Sequence, residues 1–146
     1  MASLYFKFRD AVNNLSDLPP LFFRLILSYG FYAPAMKKLN NFDAIAQWFG
    51  SMGLPFPTVN AFLATTTETA GFILLFLGLG TRIISIPLIV VMIVAIVTVH
   101  LPNGFSAGSN GYEIPLYYML MLISLIITGP GRISVDAIIE KKFANK

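Results

Sequence analysis

His100 and Glu113 bracket the stretch LPNGFSAGSNGY, a polar, glycine-rich break between two apolar runs. Histidine is the side chain whose ordinary pKa, about 6.5, lies nearest neutrality, and a carboxylate can accept or release a proton beside it. Two more ionisable groups, Arg24 and Glu68, stand inside apolar runs. A charge near the middle of a spanning helix costs about 2.5–3.5 kcal/mol on insertion scales, so each asks for a partner or a task. Asn103 lies within the break, and Tyr117 follows Glu113 by one helical turn. The ligand-binding candidates are therefore Arg24, Glu68, His100, Asn103, Glu113 and Tyr117. With no cysteine and one histidine, the chain has no disulfide or thiolate site. Alone it cannot build an ordinary zinc or haem centre, so no metal site is expected.

The elements that must hold these groups follow from composition. Hydrophobic residues make up 56% of the chain and charged residues 12%, and the mean hydropathy is +0.74, values that belong to a bilayer protein. The length of 146 residues suits one domain, 1–146. Apolar runs are marked at about 18–36, 58–79, 83–99 and 112–128, each near the ~20 residues needed to span ~30 Å of hydrocarbon as helix. The fold class expected is all-α, an integral membrane four-helix transmembrane bundle with short interfacial amphipathic helices. A signal peptide is the competing reading of the first run. Its polar lead, its missing small-residue cleavage pattern and the lysines that end it favour a retained span.

Cytoplasmic flanks of spanning segments carry an excess of Lys and Arg. With four crossings, Lys7, Arg9, Arg82, Arg132, Lys141, Lys142 and Lys146 share one side, and Lys37 and Lys38 lie on the other. Both termini are expected in the cytoplasm, and the chain in a bacterial-type inner membrane. The net charge of +3 describes a flank facing anionic lipid and calls for no nucleic acid.

Pro19 and Pro20 suit a helix start, GLGTR at 78–82 a tight turn, and TGPGR at 128–132 a helix stop. Phe42, Ile45, Ala46 and Phe49 recur at helical spacing beside Trp48, predicting an interfacial helix on the outer side. LYFKFRDAVNNL reads as a second one on the inner side. SVDAIIEKKFANK reads as a terminal amphipathic helix with a frayed tail.

Polar residues fall on faces. Ala61, Ala64, Gly71 and Gly78 share roughly the face of Glu68 and turn it toward neighbouring helices. Ser28 and Tyr32 continue the face of Arg24, and Tyr117, Ser124 and Thr128 that of Glu113. Counted from opposite membrane faces, Arg24 and Glu68 come within reach of one another, which predicts an ion pair. That pair is either a packing device or part of a substrate or quinone site. The third run carries almost no polar residue and is expected to be a lipid-facing wall closed by His100.

HLPNGF at 100–105, GYE at 111–113, GPGRISVDA at 129–137, GLGTR at 78–82, and an Arg in the first span followed by KKL resemble the DoxX family of small four-helix membrane proteins. The resemblance covers about residues 17–140, and the His-to-Glu segment is its most specific part. It implies a membrane subunit acting with a partner, since DoxX-like proteins include the large subunit of an archaeal thiosulfate–quinone oxidoreductase. A mycobacterial member is associated with superoxide dismutase and a thiol-handling enzyme. Others accompany metal-binding peptide systems. Arg24, Glu68, His100, Asn103 and Glu113 match the family's polar positions. Many members carry His followed by Gly late in the first span, where this chain has Pro34 and Ala35.

Two function classes follow. One is the membrane subunit of a redox-associated complex, with a quinone or similar ligand at the outer end of the bundle, so that any enzyme activity is that of a quinone-linked oxidoreductase subunit. The other is a non-catalytic scaffold, chaperone-like partner or small-ligand carrier. The expected partners are the lipid bilayer and a protein subunit or a second copy of the chain.

Overall fold

The computed structural model describes residues 2–144, and the frayed tail expected at 145–146 lies outside them. Seven α-helices account for most of the described chain, with no strand among these residues. They are α1 (Ala2–Asn13), α2 (Leu18–Asn40), α3 (Phe42–Ser51), α4 (Pro57–Leu77), α5 (Thr81–Ala95), α6 (Glu113–Thr128) and α7 (Val135–Ala144). Pro19 and Pro20 sit in the first turn of α2 and Pro57 in that of α4, where a missing N–H costs nothing. The chain leaves α4 through Gly78, which adopts a left-handed conformation and returns its N–H to Leu75 O.

Helix α2 packs on α4, α4 on α5, α5 on α6 and α6 back on α2, while α3 lies against α4. Leu27, Phe31, Leu75, Ile84, Leu88, Met92, Leu122 and Leu125 form the buried core. A smaller cluster joins Ile45 and Phe49 of α3 to Ala61 of α4, so the Phe42–Phe49 periodicity is an amphipathic helix docked on its neighbour. Ser28 Oγ donates to Phe72 O, which fixes the antiparallel register of α2 and α4. The starts of α2 and α5 and the ends of α4 and α6 share the terminal end of the bundle, joined there by the Asp17–Arg132 and Asp136–Gly80 contacts; the opposite end is the loop end.

The outside of the four long helices is apolar. Phe22, Ile26, Phe62, Phe76, Ile86, Val97, Leu120 and Ile127 are all exposed, far more apolar surface than water tolerates on one small domain. Two helical segments, Pro57–Leu77 and Thr81–Asn103, are long and apolar enough to cross a membrane, and α6 is apolar but shorter. The first run continues past its expected end to Asn40 and carries Arg24, Lys37 and Lys38 within one helix.

The third run is not simply a lipid-facing wall. Helix α5 buries Thr81, Ile84, Ser85, Leu88 and Met92 and packs against both α4 and α6. Ser85 hides its hydroxyl by donating to Thr81 O within the helix. Beyond Ala95 the helix widens into a π turn, Ile96–His100, and then tightens into a short turn at Leu101–Asn103. Such widened turns recur at functional sites.

Candidate functional site

The predicted pairing of Arg24 with Glu68 is not formed. Arg24 is buried and turns to the terminal end, where Nη1 donates to Leu75 O and Nη2 to Ile133 O. The cause is the register. With Ser28 beside Phe72, Arg24 stands level with the last turn of α4, where the carbonyls form the negative end of the helix dipole and attract a cation. Glu68 lies about two turns farther along α4, beyond the side chain's reach. Gly78, also left-handed, lets the guanidinium pass, because a Cβ there would collide with it.

Glu68 is met instead by Lys38, a charge that the sequence places only at the flank of the first span. Lys38 Nζ donates to Glu68 Oε2 at 2.6 Å. The two side chains are 15% and 4% exposed, so the pair lies inside the protein, where removing one partner strands the other.

This pair lines a cavity of about 790 Å³ in the loop-end half of the bundle. That volume falls in the range of small-molecule sites, ~300–1,000 Å³. Its wall is mainly apolar, drawn from Phe31, Leu63, Val90, Val94 and Ile114, with Trp48 and Phe49 of α3 at one side. Proline helps to open it. Pro34 in α2 and Pro87 in α5 both line the space, and each lies inside a helix, where its ring removes a backbone hydrogen bond and bends the axis. Tyr118 of α6 reaches the cavity across Gly30, which leaves no room for a side chain of its own.

His100, Ala107, Asn110 and Gly111 also line the cavity, so the polar break covers its loop end. The cover is closed by its own backbone: Gly111 N donates to Ser106 O, Tyr112 N to Gly104 O and Glu113 N to Phe105 O. A Cβ on Gly111 would strike Gly104 O and Phe105, so only glycine passes there. His100 Nδ1 lies 2.8 Å from Asn110 O. A carbonyl only accepts, so Nδ1 carries the hydrogen, and Nε2 is the ring's other polar position. Asn103 Nδ2 donates to Val99 O and Asn110 O. Glu113 accepts from Ala107 N through Oε2 and from the Tyr117 hydroxyl through Oε1.

Of the six candidates, Glu68 and His100 line the cavity. Asn103, Glu113 and Tyr117 hold its cover in shape, and Arg24 stands at the opposite end. Lys38, Trp48, Thr67 and Tyr118 line it as well and were not marked from sequence. Lys38 was hidden as one of two adjacent lysines, with nothing local to say which turns inward.

The GPGRISVDA stretch fastens the terminal end. Asp136 accepts the N–H groups of Gly80 and Thr81 at the start of α5, the place where a carboxylate is favoured. Asp17 accepts from both the backbone N and Nε of Arg132. The Arg132 N–H above all, and its guanidinium as well, hold the Asp17 carboxyl below its usual range against the opposing effect of partial burial. Among the described residues, no cluster of three or more His, Cys, Asp or Glu is placed to hold a metal ion.

The family model for DoxX matches residues 20–101. The chain is 29% identical over 130 residues to the "Putative oxidoreductase CatD" of Bacillus subtilis, covering 89% of this chain and 93% of that protein. It is 32% identical over 131 residues to an uncharacterised membrane protein of Mycobacterium tuberculosis, covering 82% and 80% of the two chains. To the inner membrane protein YphA of Escherichia coli it is 30% identical over 104 residues, covering 68% and 74%. No solved structure matches. With its apolar exterior, its helical architecture and these relatives, the chain belongs to the DoxX family of membrane proteins.

Proposed function

We propose that the chain is the integral membrane subunit of a redox-associated complex and that its cavity holds a quinone-type ligand. The observation that carries this reading is a buried Lys38–Glu68 pair lining an otherwise apolar cavity of about 790 Å³. The residues fit such a group: apolar walls accommodate a ring and chain, and an ammonium, a carboxyl and a hydroxyl offer partners to its oxygens. A bound quinone supplies two-electron, two-proton redox chemistry. Lys38 donates hydrogen bonds to an anionic or carbonyl oxygen, the Glu68 carboxylate can take up or pass on a proton beside it, and Tyr118 can donate its hydroxyl. His100 Nε2 offers a hydrogen-bonding position at the loop end, and the closed cover limits water. The Bacillus relative's name supports the redox class.

In this reading α2, α4, α5 and α6 cross the bilayer with both termini in the cytoplasm, as the Lys and Arg asymmetry favours. Helix α3 lies at the outer interface, and α1, with Leu4, Tyr5, Phe8 and Val12 exposed, at the inner one. A protein subunit or a second copy of the chain completes the complex. Purification in mild detergent followed by optical spectroscopy and mass spectrometry tests the ligand: a quinone that copurifies with the native chain and is lost in Glu68→Gln supports the site. Equal retention in both contradicts it.

A carrier that never reacts with its occupant is the second reading. It is favoured by the commitment of the Glu113 carboxylate to Ala107 N and the Tyr117 hydroxyl, which leaves fewer free proton-handling groups. A retained ligand that no reductant or oxidant changes in the complex distinguishes it.

A further inference from the structure

We infer that the cavity opens sideways into the bilayer between the loop-end halves of α4 and α5, so that its occupant is a membrane-dissolved amphiphile with a compact polar head and a long apolar chain. The inference rests on the four-span reading and specifies how the site is reached. Helices α4 and α5 make their tight contact where Leu88 fills the space that a side chain on Gly71 would take. Toward the loop end they stand on either side of the cavity, with Leu63 and Thr67 on one helix and Val90, Val91 and Val94 on the other. Leu63, Val90 and Val94 are also 54%, 55% and 41% exposed. One set of apolar side chains thus borders both the cavity and the outside of the bundle, at a level flanked by outward-facing Phe62 and Ile93.

Two other sides are obstructed. Tyr118 packed on Gly30 and edge-to-face on Phe31, with ring centroids 5.6 Å apart, fills the α2–α6 side. The backbone-closed cover spans the loop end. The polar pair and the apolar portal together suit a head drawn to Lys38 and Glu68 and a chain left in the gap. A prenyl quinone and a fatty acid share this chemistry.

The native chain has no cysteine, so a single introduced thiol reports alone. In proteoliposomes of the full chain, Thr67→Cys and Val91→Cys should react at least tenfold faster with a lipid-partitioning pyrene maleimide than with a sulfonated, membrane-impermeant maleimide, each rate normalised to a free thiol in the same phase. Leu63→Trp combined with Val94→Trp should slow the pyrene reaction several-fold, and Val90→Phe repeats the block at a single site. Ile73→Cys, on the outer face of α4, serves as the control for insertion and folding and should be unaffected. Protection of Thr67→Cys by decylubiquinone assigns the head to a quinone, and protection by oleate assigns it to a carboxylate. Either supports an amphiphile. Equal or faster labelling by the sulfonated reagent overturns the portal and puts the opening at the cover, while leaving retention of a quinone as a separate question.

Discussion

Lys38 and Glu68 meet across α2 and α4 at 2.6 Å, inside the protein and on the wall of the cavity at its loop end. Each offsets the cost of burying the other. Lys38→Met should destabilise the detergent-solubilised chain by about 3–5 kcal/mol by stranding the carboxylate, whereas Lys38→Met with Glu68→Leu should cost much less. Thermal unfolding of the two singles and the double measures the coupling. Additive losses would mean that the two groups act independently.

Arg24 has different partners, so its loss should add to that of Glu68 with little coupling. Arg24→Met takes the guanidinium from Ile133 O and from Leu75 O, which keeps only the Gly78 N–H, and frees the segment that fastens the terminal end. Gly78→Ala should damage the same place from the other side, costing about 1–3 kcal/mol through backbone strain and crowding Arg24. A strong coupling of Arg24→Met with Glu68→Leu in unfolding measurements would restore the pairing that register rules out.

The cover depends on Gly111. Gly111→Ala should disorder residues 101–112 and make the loop a protease site in intact proteoliposomes, with helix content by circular dichroism unchanged. His100→Gln keeps an N–H donor for Asn110 O and should leave the cover protected. Proteolysis of the His100→Gln chain at the native rate and faster cleavage of Gly111→Ala is the expected pattern.

Asp17 gives the fold a pH dependence of known sign. Its carboxyl titrates lower in the folded chain than in the unfolded one, chiefly because the Arg132 N–H binds the ionised form. That contribution is complete above the unfolded value of about 3.9 and is lost as the pH falls through the lowered folded value. Melting temperature in neutral detergent should therefore fall across this acid range, and Asp17→Asn should lower it at neutral pH while flattening this part of the profile. An unchanged acid slope in Asp17→Asn would assign the effect to other carboxyls.

Much of this architecture is legible in the sequence because hydropathy fixes where helices lie. The runs at about 18–36 and 58–79 become α2 and α4, and Phe42, Ile45 and Phe49 announce α3 through spacing alone. Height and facing are less legible. A one-residue difference in register moves a contact by ~1.5 Å, and nothing local states that Ser28 sits beside Phe72. Counting heights from the sequence therefore mispairs Arg24 with Glu68, and Lys38 does not stand out because a lysine at a helix end ordinarily reaches for water. The bonds of Asp136 to Gly80 and Thr81, and of Asp17 to Arg132, join residues far apart in the chain; the GPGRISVDA stretch alone reads as a stop and a helix. The polar break is plain in the sequence; the backbone bonds that close it over the cavity are not.

Trp48, the chain's single tryptophan, lines the cavity and so reports directly on whether a quinone occupies it. Decylubiquinone titrated into proteoliposomes should quench its fluorescence along a saturable curve, and Glu68→Gln and the cavity-filling Ala64→Phe should each weaken saturation at least tenfold at a temperature where circular dichroism shows their helix content to match the native chain's. Quenching that rises linearly with quinone in the lipid, and equally in all three chains, would contradict a quinone site in this cavity.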